Sequence, residues 1–174
     1  MVPPGVPNTL ARTGSVKNGA KYEFVLADGQ GEIVMDLEKI KKLPDIISVE
    51  ELVLLFHKVL TTFSLGNSSK QEFLLALSEL TDRQVMTYEL LENSTRKKVD
   101  KILCGLWNTH SYEDVDIILS IVVNLGLEEC FAKIKESIKK NDNIEGQILN
   151  EILETINEVG ENISNPYHKL ERYK

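Results

Sequence analysis

Helix-start signals recur along this chain from Ile47 to Gly160, and apolar residues at helical spacing follow each of them. The signals with a hydroxyl residue and an acid or amide three positions later are Ser48–Glu51, Ser69–Glu72, Thr81–Gln84 and Ser111–Asp114. Further starts are predicted at Ser94 or Thr95, at Leu127 and at Ile144. Three glycines stand where helices should end, namely Gly66, Gly126 and Gly160. The pattern predicts about seven helices.

The connections between these predicted helices are only a few residues long. Short connections favour the packing of consecutive helices as antiparallel neighbours. Helix pairs recur only loosely, at about 40 residues, which is in the range of two-helix solenoid repeats. The sequence therefore predicts a mostly α fold, either an irregular α-solenoid or an orthogonal helical bundle.

Three segments with different composition divide the chain. Prolines and glycines without apolar periodicity, followed by alternating apolar residues around Asp28-Gly29, predict that residues 1–34 form an extended arm and a short N-terminal β-hairpin. Residues 35–160 are predicted to form the helical domain. Asn165-Pro166 breaks the helical pattern, so residues 161–174 are predicted to be a C-terminal tail.

The charge of the chain favours a basic partner over nucleic acid. Its 174 residues include 27 acidic and 20 basic side chains, for a net charge of −7, whereas phosphate binding needs patches of Lys and Arg. The longest apolar run, Ile117 to Val123, is far shorter than the roughly 20 residues of a membrane-spanning helix. The first residues lack the apolar segment of a secretory signal. We therefore expect a cytoplasmic protein that binds neither nucleic acid nor membrane.

Sequence motifs for catalysis are missing from the chain. It has no phosphate-binding loop, dinucleotide fingerprint, zincin motif, nucleophile elbow or paired CxxC motif. Cys104 and Cys130 both lie among apolar residues in helical patterns, where a free cysteine usually behaves as a small buried hydrophobe. We therefore predict a protein that is not an enzyme and that has no catalytic, cofactor-binding or metal-binding residues.

The densest polar cluster lies between Trp107 and Asp116, at a turn between two apolar helices. In one interpretation, His110 with Asp114 or Asp116 forms an acid–base pair or contributes to a metal site, as in a small metal-dependent hydrolase. In the other, Ser111 and Asp114 cap the helix, and the acids favour its positive end. The second interpretation accounts for more of these residues. Trp107 is predicted to be part of the core.

Acidic residues without any Lys or Arg characterise the stretch from Ser111 to Cys130. Because these acids lie near predicted helix ends, adjacent turns could present them on one rim, and the final predicted helix adds further acids. A field of one sign attracts a cationic partner and raises its association rate. The predicted partner-binding residues are the five acids of this stretch with two neighbouring anchors: His110, Tyr112, Glu113, Asp114, Asp116, Glu128 and Glu129.

The stretch from Val99 to Ile138, with its apolar helix pattern around Trp107 and around Ser111 to Asp114, resembles a known family. It is similar to the all-helical immunity proteins of bacterial polymorphic toxin and contact-dependent growth inhibition systems. The resemblance implies a small acidic protein in the cytosol that inhibits a cognate toxin domain by binding over or beside its active site. No counterpart of residues 1–34 is identified in that family.

Three functions are thus open from the sequence. The first is an immunity protein whose acidic helical surface binds a toxin domain, which is expected to be basic when the toxin is a nuclease. The second is a helical-repeat adaptor for protein–protein interaction, unrelated to toxins. The third is the metal-dependent hydrolase. Gene context separates the first two, because an immunity gene should directly follow a toxin gene, and metal analysis tests the third.

Overall fold

A computed structural model describes residues 35–170 of the chain. The predicted arm and β-hairpin in residues 1–34 lie outside this range, as do the last four residues of the tail. Within the described range there are seven α-helices and no strands, so the prediction of a mostly α fold is confirmed. The helices are α1 (Leu37–Lys41), α2 (Val49–Ser64), α3 (Lys70–Val85), α4 (Asn93–Leu106), α5 (Tyr112–Leu125), α6 (Glu128–Lys140) and α7 (Gly146–Val159). None of these helices is long and apolar enough to cross a bilayer.

Helices two positions apart in the chain pack side by side and form two layers. One layer contains α1, α3, α5 and α7, and the other contains α2, α4 and α6. Asp100 of α4 and Trp107, the residue that follows α4, contact Cys130 and Ser137 of α6 in the same order, so these two helices run parallel. Such an order of contacts is typical of helical hairpins stacked side by side, as in α-solenoids.

The connection between α3 and α4 departs from the expected antiparallel pairing of consecutive helices. Within residues 35–170, α3 and α4 do not pack against each other. Residues 86–92 form a turn and a non-helical segment that leads from one layer to the other. The helix α4 therefore lies beside α2 in the second layer, and α3 lies beside α5 in the first.

Serine caps begin three of the helices at the predicted positions. Ser48, Ser69 and Ser111 each accept the backbone N–H of the third following residue through Oγ, at 3.3, 3.2 and 3.3 Å. Around Ser69 the capping box is complete, because the carboxylate of Glu72 also accepts the backbone N–H of Ser69, at 2.9 Å. These three predictions of helix starts are confirmed.

The predicted helix start at Thr81 is wrong. The helix α3 continues without interruption to Val85, and the buried Thr81 hydroxyl donates to the carbonyl oxygen of Leu77 at 2.7 Å. Gln84 does not reach back to Thr81; its side-chain Nε2 donates to the carbonyl oxygen of Glu89 at 2.8 Å. A threonine whose hydroxyl bonds one turn back is compatible with a helix interior, and so the local signal was misleading.

The predicted cap at Ser94 or Thr95 is also wrong, because Glu92 caps α4 instead. Its carboxylate accepts hydrogen bonds from the hydroxyls of Thr95 and Ser94, at 2.6 and 2.7 Å. It also accepts hydrogen bonds from the backbone N–H groups of both residues, at 2.9 Å each. These bonds lower the pKa of Glu92 to about 2. Thr95 lies buried in the first turn, where its Oγ1 is 3.1 Å from Nε2 of His57 on α2.

Residues 161–170 of the predicted tail pack back onto the helical domain. The Tyr167 hydroxyl donates to the carbonyl oxygen of Glu89 at 3.3 Å. The backbone of Ile163 closely approaches Gly126, the residue that ends α5. Trp107 belongs to the core as predicted, with 8% of its surface exposed. This part of the tail therefore contributes to the tertiary structure.

Candidate protein-binding surface

Six of the seven predicted partner-binding residues are exposed and one is buried. Asp114 is the buried one, with 5% of the residue surface exposed. The exposed residues are His110, Tyr112, Glu113, Asp116, Glu128 and Glu129. Only these six are accessible to a partner in the described fold.

The exposed acids do not form one rim. Glu113 and Asp116 lie in the first turns of α5, whereas Glu128 and Glu129 begin α6, just after α5 has ended. With 14 residues and a rise of about 1.5 Å per residue, α5 is about 20 Å long. The two acidic pairs are therefore at opposite ends of α5, and a partner that contacts Asp116 meets Glu128 only if its interface extends along the whole helix.

The carboxylate of Asp114 is occupied within the protein. Its Oδ2 accepts Lys70 Nζ at 2.5 Å and Asn108 Nδ2 at 3.2 Å, and its backbone N–H donates to the Ser111 cap. Burial disfavours the charged form, but the bonds from Lys70 and Asn108 and the charge of Lys70 prevail and hold the pKa of Asp114 below its usual value. Asp114 thus joins the starts of α3 and α5 and is not available to a partner.

His110, Asp114 and Asp116 do not converge on a common ligand position. The Asp114 carboxylate binds Lys70 and Asn108, and the backbone N–H of His110 donates to Asn108 Oδ1 at 3.0 Å. In residues 35–170, one group of three potential metal-ligating side chains has its ligand atoms within 4.8 Å of one another, and it contains none of these residues. The arrangement does not supply the geometry that a metal-dependent hydrolase centred here would need.

An acidic groove lies between α5 and α7 and includes Asp116. It is shallow and open, with a volume of about 220 Å³. Its lining combines three carboxylates with small polar and aliphatic side chains: Asp116, Leu119, Ser120, Val123, Asn124, Glu151, Thr155, Glu158 and Val159. No Lys, Arg or His of the described range lines it. The groove thus offers an apolar floor with a negatively charged border.

The negative charge of the acidic groove is only weakly compensated. Glu158 Oε1 lies 3.9 Å from Lys169 Nζ, but both side chains are largely exposed, at 77% and 65%. Exposed pairs of this kind contribute little, because water screens them and long side chains lose rotamer freedom. A cationic group of a partner could displace Lys169 at little cost.

The residues that α7 contributes to the acidic groove are not among the predicted partner-binding residues. Glu151, Thr155 and Glu158 recur at spacings of four and three, as do Asp116, Ser120 and Asn124 on α5 at spacings of four. Each set is a polar stripe along one side of its helix. The signal was present in both helices, but only the packing of α5 against α7 brings the two stripes together.

A second, larger cleft of the opposite charge lies between α2 and α4. Its volume is about 400 Å³, and it is lined by basic, hydroxyl and aliphatic side chains: His57, Leu60, Thr61, Ser64, Leu65, Lys98, Lys101 and Ile102. None of the predicted partner-binding residues belongs to it. Of these two concave surfaces, the acidic groove is the one that agrees in charge with the cationic partner expected from the sequence.

No known family model, no curated protein and no solved structure matches the chain. The inference of function accordingly depends on the residues of this chain and on their arrangement.

Proposed function

We propose that the chain is an immunity protein, which binds a cognate bacterial toxin domain through the acidic groove and thereby inhibits it. The observation that carries the proposal is the placement of Asp116, Glu151 and Glu158 around one concave surface between two packed helices. Three carboxylates around an aliphatic floor complement a basic side chain whose apolar stem packs below its charged end. In this proposal the protein acts by binding and not by catalysis.

The chemistry of nuclease toxins makes their surface a suitable partner. A domain that binds nucleic acid presents Lys and Arg to the phosphates, and an acidic protein can compete for those side chains. The net charge of −7 of the chain adds long-range attraction, which increases the association rate. Occupation of the toxin's basic surface would block access of its substrate. The two proteins would meet in the cytoplasm, where the substrate nucleic acid is.

Neighbouring exposed residues extend the proposed contact beyond the acidic groove. Glu113 lies one turn before Asp116 on α5, and Tyr112 begins the helix with 37% of its surface exposed. Tyrosine contributes a large contact area at a low cost in conformational entropy. We therefore propose Tyr112, with His110 beside it, as an anchor next to the groove. Glu128 and Glu129, at the far end of α5, are not included.

The proposal is tested with the product of the gene directly upstream, for which we expect a toxin that co-purifies with this chain. Affinity should fall as the ionic strength rises from about 0.01 M to about 0.15 M, since the screening length then shortens from about 30 to about 8 Å. Co-expression of this chain should also restore growth of cells that produce the toxin.

Removal of the three negative charges of the acidic groove measures how much the groove contributes to the affinity for the toxin. The triple variant Asp116→Asn, Glu151→Gln, Glu158→Gln should bind the toxin roughly 10- to 100-fold more weakly, mainly through slower association. A matched variant, Asp45→Asn, Glu50→Gln, Glu89→Gln, removes three exposed charges outside the two helices of the groove and should bind almost normally. Equal affinities of the two variants would exclude the acidic groove as the binding surface. Binding without rescue of growth would favour the adaptor function.

A further inference from the structure

Two cysteines and an aspartate from neighbouring helices converge between α4 and α6. The ligand atoms of Asp100, Cys104 and Cys130 all lie within 4.8 Å of one another. Asp100 and Cys104 are one helical turn apart on α4, and Cys130 is in the first turn of α6. Both cysteines are predicted from the sequence to be buried hydrophobes, but Cys104 is only half-buried, and its Sγ lies 4.0 Å from Asp100 Oδ1.

The carboxylate of Asp100 is fixed in orientation by the start of α6. Its Oδ1 accepts the backbone N–H of Cys130 at 2.7 Å, and its Oδ2 accepts that of Glu129 at 3.0 Å. Asp100 thereby replaces the side-chain cap that Leu127, the N-cap residue, lacks. A carboxylate oxygen has two lone pairs, so each oxygen can still accept a cation. Ligands held in this way by backbone groups are a common feature of metal sites.

The distances require only a small adjustment to hold a metal ion. With a Zn–S distance of about 2.3 Å and a Zn–O distance of about 2.1 Å, the ligands of a tetrahedral ion are about 3.5 to 3.8 Å apart. The three ligand atoms lie within 4.8 Å of one another, so a contraction of about 1 Å suffices, and rotation of the cysteine side chains can supply it. Cys104 provides the route of entry, because Cys130 is fully buried.

The local charge favours a cation at this position. Burial is the main cause that raises the pKa of the Asp100 carboxyl; the two N–H bonds lower it, and the charges of Glu129 and Glu128 add a smaller increase. Lys133 places one positive charge nearby, since its Nζ lies 2.5 Å from the Cys104 carbonyl oxygen, and this charge opposes the effect of the nearby acids. Burial raises the pKa of both thiols, so that they remain protonated in the absence of a metal.

We propose that Asp100, Cys104 and Cys130 bind one thiophilic divalent cation of the zinc class, with water as the fourth ligand. Binding forms two metal–sulfur bonds and one metal–oxygen bond and releases the two thiol protons to solvent, with no change of oxidation state. The sulfur ligands select against Mg²⁺ and Ca²⁺, which prefer oxygen. The bound ion would join α4 to α6. These helices belong to the second layer, whereas the acidic groove is formed by the first. The proposal is independent of the function proposed above.

The test uses the whole chain, freed of metal and kept reduced with a phosphine. Calorimetric titration with Zn²⁺, repeated in buffers of different ionisation enthalpy, should give one ion per chain and the release of about two protons at neutral pH. Co²⁺ in place of Zn²⁺ should produce the near-ultraviolet charge-transfer absorption of cobalt–thiolate bonds. An excess of Mg²⁺ should not compete.

Variants of the two cysteines, the only ones in the chain, decide the assignment. Cys104→Ala and Cys130→Ala should each weaken Zn²⁺ binding by at least about 100-fold, because loss of a group that merely orients a ligand already costs roughly 10- to 100-fold. The control Asp45→Asn, at an exposed carboxylate outside both proposed sites, should bind Zn²⁺ normally. Helical circular dichroism checks that each variant is folded. Equal affinity of the wild type and Cys104→Ala, or a cobalt complex without the thiolate band, would overturn the proposal.

Discussion

Lys70, the first residue of α3, and Asp114, in the first turn of α5, form an ion pair in which Nζ lies 2.5 Å from Oδ2. The two sides of the pair differ in exposure, at 45% for the lysine side chain and 7% for the aspartate. Loss of the aspartate leaves a lysine that water can solvate, whereas loss of the lysine leaves a buried carboxylate with fewer partners. The pair joins the starts of two helices in one layer.

This difference in exposure predicts that substitution of Lys70 lowers the free energy of unfolding more than substitution of Asp114. Asp114→Asn should lower the free energy of unfolding by about 1 to 2 kcal/mol, and Lys70→Met by about 2 to 3 kcal/mol, since an unpaired buried charge costs more than a lost hydrogen bond. Urea unfolding measures both. The control Asp116→Asn, exposed on the same helix, should change stability by less than about 0.5 kcal/mol. A Lys70→Met variant as stable as this control would contradict the prediction.

The Glu92 cap predicts a pH dependence of stability. Its pKa falls from 4.5 to about 2 in the folded protein because its carboxylate accepts bonds from Thr95 and Ser94. A depressed folded pKa stabilises the protein above the unfolded value, and this contribution is lost as the pH falls through the folded value. The difference in Tm between wild type and Glu92→Gln should therefore be full above about pH 5 and shrink toward pH 2.

Glu89→Gln is the matched control for that measurement, because Glu89 is exposed in the preceding loop and uses only its backbone groups in the described bonds. Its Tm difference from wild type should stay small across this pH range. A Glu92→Gln difference that does not change between pH 5 and pH 2 would show that the carboxylate does not stabilise α4 in its charged form.

Arg83 connects the segment around α1 to α3. Its replacement should therefore destabilise this segment locally. The side chain is 5% exposed, and its guanidinium donates to the carbonyl oxygens of Leu43 at 2.8 Å and Pro44 at 3.0 Å and to Glu79 Oε2 at 2.9 Å. A lysine cannot reproduce this planar set of donors. Arg83→Lys should lower the free energy of unfolding by about 2 to 3 kcal/mol.

Hydrogen exchange separates this local effect from a global one. In Arg83→Lys, amides of residues 37–47 should exchange faster than the overall loss of stability accounts for, because the carbonyl contacts that hold this segment are removed. The control Arg96→Lys, on α4 and half-buried, should leave residues 37–47 protected. A uniform increase of exchange in both variants would contradict a specific connection through Arg83.

Local signals predict three of the helix starts correctly because caps act within one turn. Ser48, Ser69 and Ser111 satisfy backbone groups three residues away, and a window of sequence contains both partners. The predictions of a start at Thr81 and of a cap at Ser94 or Thr95 are wrong for a related reason. A buried threonine can bond within its own helix, and glutamate is an uncommon cap, so residue type alone favoured the wrong position.

The candidate sites depend on contacts between helices that are far apart in sequence. Asp114 and Lys70 are 44 residues apart, so sequence offered no sign that this acid is buried and paired. Asp116 is correctly predicted to be an exposed acid of the candidate surface. Its predicted grouping with Glu128 and Glu129 rested on their proximity in the chain, and the length of α5 separates them. The pairing of Asp100 with the start of α6 likewise follows from the layered packing of alternate helices and not from a local pattern.

The contact of Ile163 and Pro166 with Gly126 predicts that substitution of this glycine destabilises the protein more than substitution of Gly66. Both have positive φ, of 67° and 75°. A Cβ at Gly126 would lie 2.8 Å from the backbone oxygen of Ile163 and 3.3 Å from Pro166 Cδ, whereas a Cβ at Gly66 meets nothing within 4 Å. Gly66→Ala should therefore show the conformational cost alone, about 1 to 2 kcal/mol. Gly126→Ala adds a clash with backbone and should lose about 3 kcal/mol or more in urea unfolding.

The clash at Gly126 should also release residues 161–170 from the helical domain, since relief requires movement of the backbone near Ile163. Limited proteolysis should cut Gly126→Ala within this segment faster than Gly66→Ala, because protease access depends on local opening. Tyr167 should become more exposed at the same time, as its bond to Glu89 is broken. Equal stability losses and equal cleavage of the two variants would contradict the packing of residues 161–170 against the end of α5.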